Sequence, residues 1–325
     1  MPISRRELLR NAAATVAALA LPAPLVACAR RGTRAVPPDA APEPAAAVKT
    51  EAPPAADADR ARLAAWAAAL RAEGLARGAA PLGRAAARVG ELAVGTPYEA
   101  YTLEAYLRGG GSPSAEPLTL SLTRFDCVSL VEGCLAVARA TGEQRGPSWE
   151  RFAAEMERMR YRGGARRGYT SRLHYFSEWI ADGERRGLVR DLGAELGSVE
   201  DARPLRFMTE HRASYGALAD VGVLREIAAM ERSLDGRPRR VVPAERIAAV
   251  ADRIETGDVL AFATAIPGLD VTHSALAYRG ADRVLRVLHA PLSGGAVEVT
   301  RATLPEYVAA IRRSTGILVA RPLRG

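Results

Sequence analysis

Lysine is nearly missing from this chain: Lys49 is the only one in 325 residues, so the formal charge of +8 is carried by arginine. The arginines are spread along the whole length instead of forming a stripe. That reads as codon usage, not as a nucleic-acid footprint, and leaves only a weak preference for anionic surfaces. Cysteine is scarce as well. Cys28, Cys127 and Cys134 are too few for a disulfide scaffold. On one continuous helix, Cys127 and Cys134 would have Cα atoms about 10 Å apart, beyond disulfide reach. There are four histidines, His174, His211, His273 and His289, and no Cys or His pair stands at zinc-ligand spacing. Neither a metal nor a cofactor is expected. Beyond the first 27 residues no apolar run is long enough to cross a bilayer, and no internal repeat is visible.

What is present begins with MPISRRELLR and the uncharged run NAAATVAALALPAPLVA. Ser4-Arg5-Arg6-Glu7-Leu8-Leu9 resembles a twin-arginine export signal. The apolar run, interrupted by Pro22 and Pro24, fits a cleavable segment better than a membrane span. Leu25-Val26-Ala27-Cys28 resembles a bacterial lipobox, with Cys28 as the lipid-modified first residue of an exported, membrane-anchored protein. The alternative is an ordinary cleaved signal that ends near a cysteine. Residues 28–58 are rich in Ala and Pro and poor in large apolar side chains, so they read as a tether between the signal, 1–27, and one domain, 59–325.

In that domain RARLAAWAAALRAEGLA and PLGRAAARVGELA carry apolar residues at helical spacing, and a Tyr-rich stretch follows. PLTLSL reads as a short strand or extended lead-in. VSLVEGCLAVARAT predicts a helix of about four turns, with Val128, Val131, Leu135 and Val137 inward and Gly133 its weak position. SWERFAAEMERMRY, SRLHYFSEWIADGERRG and PLRFMTEHRASYGALAD are read as further helices. After Pro243 the texture becomes short β-rich runs, GDVLAFATAI, VTHSALAYRG, RVLRVLHAPL, GAVEVT and STGILVARPL, with the helix LPEYVAAIRR before the last. Helices followed by an antiparallel sheet make an α+β domain.

Cys127 stands at the predicted start of a helix, where outward-pointing N–H groups stabilise a thiolate. Cys134, two turns deeper among Val131, Leu135 and Val137, is most simply a core residue. Any base for the thiol should then come from the strands. Alternation in VTHSALAYRG puts His273, Ala275 and Ala277 on one face, read as inward, and Thr272, Ser274 and Leu276 on the other. His289 ends the next strand and can come beside His273 in an antiparallel pair. A thiol, a base and an orienting side chain are the parts of a triad. Asp126 reads as a helix cap before a proton carrier.

Phe125-Asp126-Cys127, Val271-Thr272-His273-Ser274-Ala275-Leu276 and Leu288-His289-Ala290-Pro291 resemble the three catalytic segments of the NlpC-type peptidoglycan cysteine peptidases, whose core is papain-like. Gly95-Thr96-Pro97-Tyr98 is similar to their glycine-proline-tyrosine turn. The N-acetylmuramoyl-L-alanine amidase-like branch is the nearer match, through FDCVSLVEG, MRYRGG with GYTSRLHYFSEWI, LRFMTEH and THSALAY, over roughly residues 90 to 320. Two departures stand out: Val128-Ser129 after the cysteine in place of the usual small residue, and Ala275 in place of a glycine.

The resemblance implies a papain-like core, a nucleophile helix packed on an antiparallel sheet, with extra N-terminal and inserted helices. It makes Cys127 the nucleophile, His273 the base and then acid, and His289 the orienting residue. Tyr98 or Tyr101 would serve the oxyanion, and Asp126, Tyr169, Arg172 and His174 are substrate-side candidates, with packing roles as the alternative. The expected partners are muropeptides or other peptidoglycan fragments, and the membrane through the anchor; no nucleic acid is expected. The expected reaction cleaves the N-acetylmuramoyl-L-alanine amide through a thioester. A stem-peptide endopeptidase, an acyltransferase and a non-catalytic wall-binding lipoprotein are the alternatives.

Overall fold

The computed structural model describes residues 55–77, 80–142, 147–292 and 295–324. The signal and residues 28–54 of the tether, with the lipobox cysteine Cys28, lie outside the described residues; the last four positions read as tether, 55–58, are helical. Helices α1 (Ala55–Ala72) and α2 (Leu82–Leu92) open the fold, followed by α3 (Cys127–Gly142), α4 (Trp149–Arg160) and α5 (Phe176–Arg185). Short strands β1 (Val189–Asp191) and β2 (Val199–Asp201) precede α6 (Val221–Ser233) and β3 (Arg239–Pro243). The chain ends with β4 (Val259–Thr264), β5 (Val271–Arg279), β6 (Leu285–His289), β7 (Glu298–Val299), α7 (Leu304–Ala310) and β8 (Ser314–Pro322).

The strands form one antiparallel sheet in the order β2-β3-β8-β4-β5-β6-β7, with β1 added against β8. This is the expected α+β architecture. Both faces of the sheet are covered. Val259, Ala261, Ala263, Leu276, Leu288 and Leu318 pack beneath α1 to α5. Leu260, Phe262, Ala275, Ala277, Val287 and Ile317 face Leu304 and Val308 of α7. All six residues of β4 are buried, which is why VLAFAT reads as a continuous apolar run and not as an alternating one.

Helix α3 is more deeply embedded than a one-sided apolar stripe implies: every residue from Leu130 to Thr141 is buried, and Val128 is only partly so. Full burial of side chains such as Leu130, Val131 and Leu135 contributes about 1.5–3 kcal/mol each. Gly133, the weak helical position, has a packing reason. A Cβ there would come within 3.2 Å of the Phe125 ring, so its absence lets the helix fold back on its own lead-in.

Two sequence expectations need correction. SRLH does not belong to α5: Ser171 closes a 3₁₀ turn (Tyr169–Ser171), Arg172 forms an antiparallel bridge with Tyr161, and α5 starts only at Phe176, where Asp270 Oδ2 accepts the Ser177 N–H at 2.8 Å. PLRFMTEHRASYGALAD forms one helical turn, Phe207–Glu210, and two 3₁₀ turns, because Tyr215 takes an extended conformation between them. PLTLSL, read as a strand or an extended lead-in, takes the second form. The sequence reading also passed over α6 and the strands β1, β2 and β3.

Candidate active site

The nucleophile candidate sits where predicted, at the first residue of α3, and is half-buried. Asp126 caps that helix: its Oδ1 accepts the Ser129 N–H at 2.7 Å, and Ser129 Oγ accepts the Asp126 N–H at 2.8 Å. The expected cap therefore has Ser129 as its reciprocal partner. Neither described cysteine forms a disulfide. Cys134 is 1% exposed, and burial pushes its thiol pKa up.

Main-chain pairing fixes the segment before Cys127. Tyr98 bridges Phe125 in parallel; the Phe125 N–H donates to the Pro97 carbonyl and the Glu99 N–H to the Phe125 carbonyl. On its other side this turn pairs with the strand entering β7. Pro97 lies opposite Ala296, the Gly95 N–H donates to the Val297 carbonyl, and the Tyr98 N–H donates to the Gly295 carbonyl. β7 in turn pairs with β6, with His289 opposite Glu298. A hydrogen-bonded path thus runs from His289 to the residues just ahead of the thiol, while α3 itself packs on β5.

Helix α1 braces the same segment. Asp59, 5% exposed, accepts the Leu122 N–H at 2.7 Å and the Thr123 hydroxyl at 2.9 Å. Arg62 donates to Thr96 Oγ1 and to the Leu122 carbonyl.

The two strand histidines meet as the alternation suggested. His273 Nε2 lies 2.8 Å from His289 Nδ1, with the rings edge to face. Leu276 pairs with Leu288, so one step along the strands Ala275 faces His289, and its small side chain leaves room for the diagonal contact to His273. The face needs correction, however. His273, Ala275 and Ala277 turn away from the helical layer, and His273 stacks on Phe262, the residue opposite it on β4. Leu276 is the residue that faces α3.

Burial depresses both imidazoles. His289 is pushed down to about 4, and His273 is held well below its ordinary value by burial and by its neighbour His289. Both rings are therefore neutral at pH 7. His273 Nδ1 is buried and has no hydrogen-bond partner among the described residues.

Two further residues complete the cluster, and neither was singled out from the sequence. Tyr307 of α7 places its hydroxyl 3.4 Å from His289 Nδ1 and packs its ring edge on Phe262. Its phenol is raised by burial first and then by the nearby Cys127 and Glu298 charges, so the thiol and the histidine pair share one neighbourhood. Glu298 Oε1 lies 3.5 Å from His289 Nε2. Tyr307 could have been noticed only as the one aromatic of LPEYVAAIRR, and Glu298 only through the register of β6 and β7.

The other predicted residues lie around a second cluster. Arg172 is 5% exposed and held by Glu104 at 2.8 Å and Glu116 at 3.4 Å, with its guanidinium over the buried Tyr169 ring. His174 Nε2 lies 2.8 Å from the Tyr169 carbonyl, and its ring packs on that tyrosine. Tyr101 takes a left-handed conformation, φ 61°, at the turn that delivers Glu104 to Arg172. Of the two candidate tyrosines, Tyr98 is the one in register with Phe125. His211 stacks on Phe207 and bonds its carbonyl, a structural role.

Among known proteins, residues 88–317 match the family model described as AmiA-like, N-acetylmuramoyl-L-alanine amidase-like. The crystal structure of an N-acetylmuramoyl-L-alanine amidase from Bacteroides uniformis superposes with a TM-score of 0.68 at 30% identity, covering 74% of this chain and 99% of that one. A Bacteroides fragilis protein provisionally called a xylanase gives a TM-score of 0.65 at 32% identity over 72% and 99% of the two chains. A Legionella pneumophila protein, at 17% identity and a TM-score of 0.61 over 83% and 96%, speaks for the fold alone. No curated protein matches. With the family model spanning most of its length and a 30% identical amidase covered almost end to end, the chain belongs to the N-acetylmuramoyl-L-alanine amidase-like family.

Proposed function

We propose that the protein is a cysteine-dependent amide hydrolase with a papain-like, NlpC-type core, cutting the N-acetylmuramoyl-L-alanine amide of muropeptides. The observation that carries this reading is the 2.8 Å contact between His273 Nε2 and His289 Nδ1; with His273 as its donor, the buried Nδ1 of a neutral His273 is available as a base. Cys127 gives its proton to that nitrogen and its sulfur attacks the amide carbonyl. N–H groups at the start of α3 and the nearby Tyr98 stabilise the oxyanion. Collapse breaks the C–N bond, and His273 passes its proton to the departing amine. Water, deprotonated by His273, then opens the thioester and restores the thiol.

A glycosidase reading is weaker. It needs two carboxylates across a cleft, whereas Asp126 caps α3 and Glu298 faces an imidazole. We further propose that Cys28 carries lipid and holds the enzyme on a membrane, facing the periplasm or wall.

The test is incubation with a disaccharide-tetrapeptide muropeptide and mass spectrometry of the products. A free peptide beginning at L-alanine, formed by wild type and lost in Cys127→Ala and His273→Ala, is expected. Cuts within the stem would make it an endopeptidase, and condensation products an acyltransferase. Turnover in a folded Cys127→Ala protein would refute the mechanism.

A further inference from the structure

We infer that Glu298 is a positioning residue that fixes the tautomer of His289 and so decides which nitrogen of His273 is the base. This rests on the proposed Cys127–His273–His289 arrangement and extends it by one member.

Two neutral imidazoles joined nitrogen to nitrogen share one bridging proton, so one of two arrangements must hold. In the first, His289 carries its proton on Nε2, and its bare Nδ1 accepts the Nε2–H of His273. His273 Nδ1 then keeps a lone pair for the thiol proton. In the second, His289 is protonated on Nδ1 and donates to His273 Nε2. His273 Nδ1 is then protonated and cannot act as a base. The contact of 2.8 Å is the same in both cases.

The surroundings of His289 favour the first arrangement. Its Nε2 is buried, on a side chain 3% exposed, and has no hydrogen-bond partner among the described residues; Glu298 Oε1 stands 3.5 Å away, beyond a formed hydrogen bond but close enough to act by charge. A carboxylate only accepts, so it attracts an N–H there and repels a bare nitrogen. The register is responsible for the placement: Glu298 is the cross-strand partner of His289, on the same face of a two-residue strand. The other groups facing His289 are compatible with it. His273 of β5 bonds Nδ1, and the hydroxyl of Tyr307 of α7, which can donate or accept, lies 3.4 Å from that same nitrogen. Cys127, at the start of α3, is close enough to Tyr307 for its charge to raise that phenol. The carboxylate beside Nε2 is the group that distinguishes the two arrangements, because the contacts at Nδ1 can form in either one.

Because the Glu298 side chain is 57% exposed, replacing it leaves the core intact. The test uses the full chain labelled with ¹⁵N, reading imidazole tautomers by long-range ¹H–¹⁵N correlation, with His289→Asn to assign the signals and kcat/KM measured on the same muropeptide. Wild type should show His289 protonated on Nε2. Glu298→Ala should give a mixture of tautomers and lower kcat/KM about tenfold, the low end of the loss seen when a carboxylate orienting a metal-bound imidazole is removed. Glu298→Gln should recover most of the rate and keep the tautomer, since its amide oxygen accepts the same N–H. Both variants should lower the titration midpoint of the histidine pair, since both remove the negative charge. A purely structural glutamate would not separate tautomer from charge in this way. A proton on Nδ1 of wild-type His289, an unchanged tautomer in Glu298→Ala, or an unchanged kcat/KM in that variant would overturn the assignment. The tautomer readout needs no turnover, so loss of the cysteine mechanism, judged by activity in Cys127→Ala, is a separate result.

Discussion

At the scale of single residues, His289, the proposed orienting residue, also bears on stability. Burial depresses its pKa to about 4 in the fold, against about 6.5 in an unfolded chain. Between those values the unfolded chain binds more protons than the native one. The contribution of a neutral, buried His289 is therefore fully present above pH 6.5 and is lost as pH falls toward 4. By pH 5 the loss is about 2 kcal/mol from this side chain alone, and His273, depressed in the same direction, adds to it. Thermal melts of wild type from pH 7.5 to 5 should fall more steeply than those of His289→Asn, whose amide does not titrate. Parallel curves would mean that His289 is not buried as a neutral ring. The pair itself was legible in the sequence, since period-two alternation and neighbouring strands suffice to bring two histidines together. Glu298 and Tyr307 were not, because they depend on the exact register of a two-residue strand and on how α7 crosses the opposite face of the sheet.

At the scale of elements, α1 looks like a peripheral addition but acts as a brace. It precedes the matched span, 88–317, yet its Asp59 takes the Leu122 N–H and its Arg62 ties Thr96 to Leu122, the two segments that converge on Cys127. Removing the Asp59 carboxylate strands a buried N–H, at a cost of about 1–3 kcal/mol. Asp59→Ala should lower the melting temperature and also kcat, because the loosened segment carries the start of α3. Asp59→Asn, which can still accept that N–H, should restore much of both. A lower melting temperature with unchanged kcat would reduce α1 to a purely stabilising role. Elements with a helical period or a β-rich run, α1 to α4 and β4 to β8, could be read from the sequence. The failures share a cause: SRLH has a helical composition, but the Tyr161 bridge and the Asp270 cap, both distant in sequence, delay α5 until Phe176. Likewise β1 to β3 exist only because β8 and β3 provide edges for pairing.

At the scale of the whole molecule, the order of elements was legible, helices first and sheet after, but the route by which the ends of the domain meet was not. The Gly95–Tyr98 turn joins the sheet edge through residues 295–297 and hands the register on to Phe125, a connection between segments nearly two hundred positions apart. The same long-range logic bears on the proposed anchor. If Cys28 is lipidated, the segment from Cys28 to Ala55 extends at most ~90 Å, and it enters the fold through α1, the element that braces the nucleophile segment. Anchoring should then restrict where the enzyme acts without altering how it acts. In a fractionated cell, wild type should sediment with membranes and Cys28→Ser should be released. Both should turn over a soluble muropeptide at the same kcat/KM, because Cys28 precedes every residue that touches the site. A Cys28→Ser protein as membrane-bound as wild type would rule out the lipid anchor. A released protein with altered kcat/KM would instead show that tension from the anchor reaches the nucleophile segment through Asp59 and Arg62.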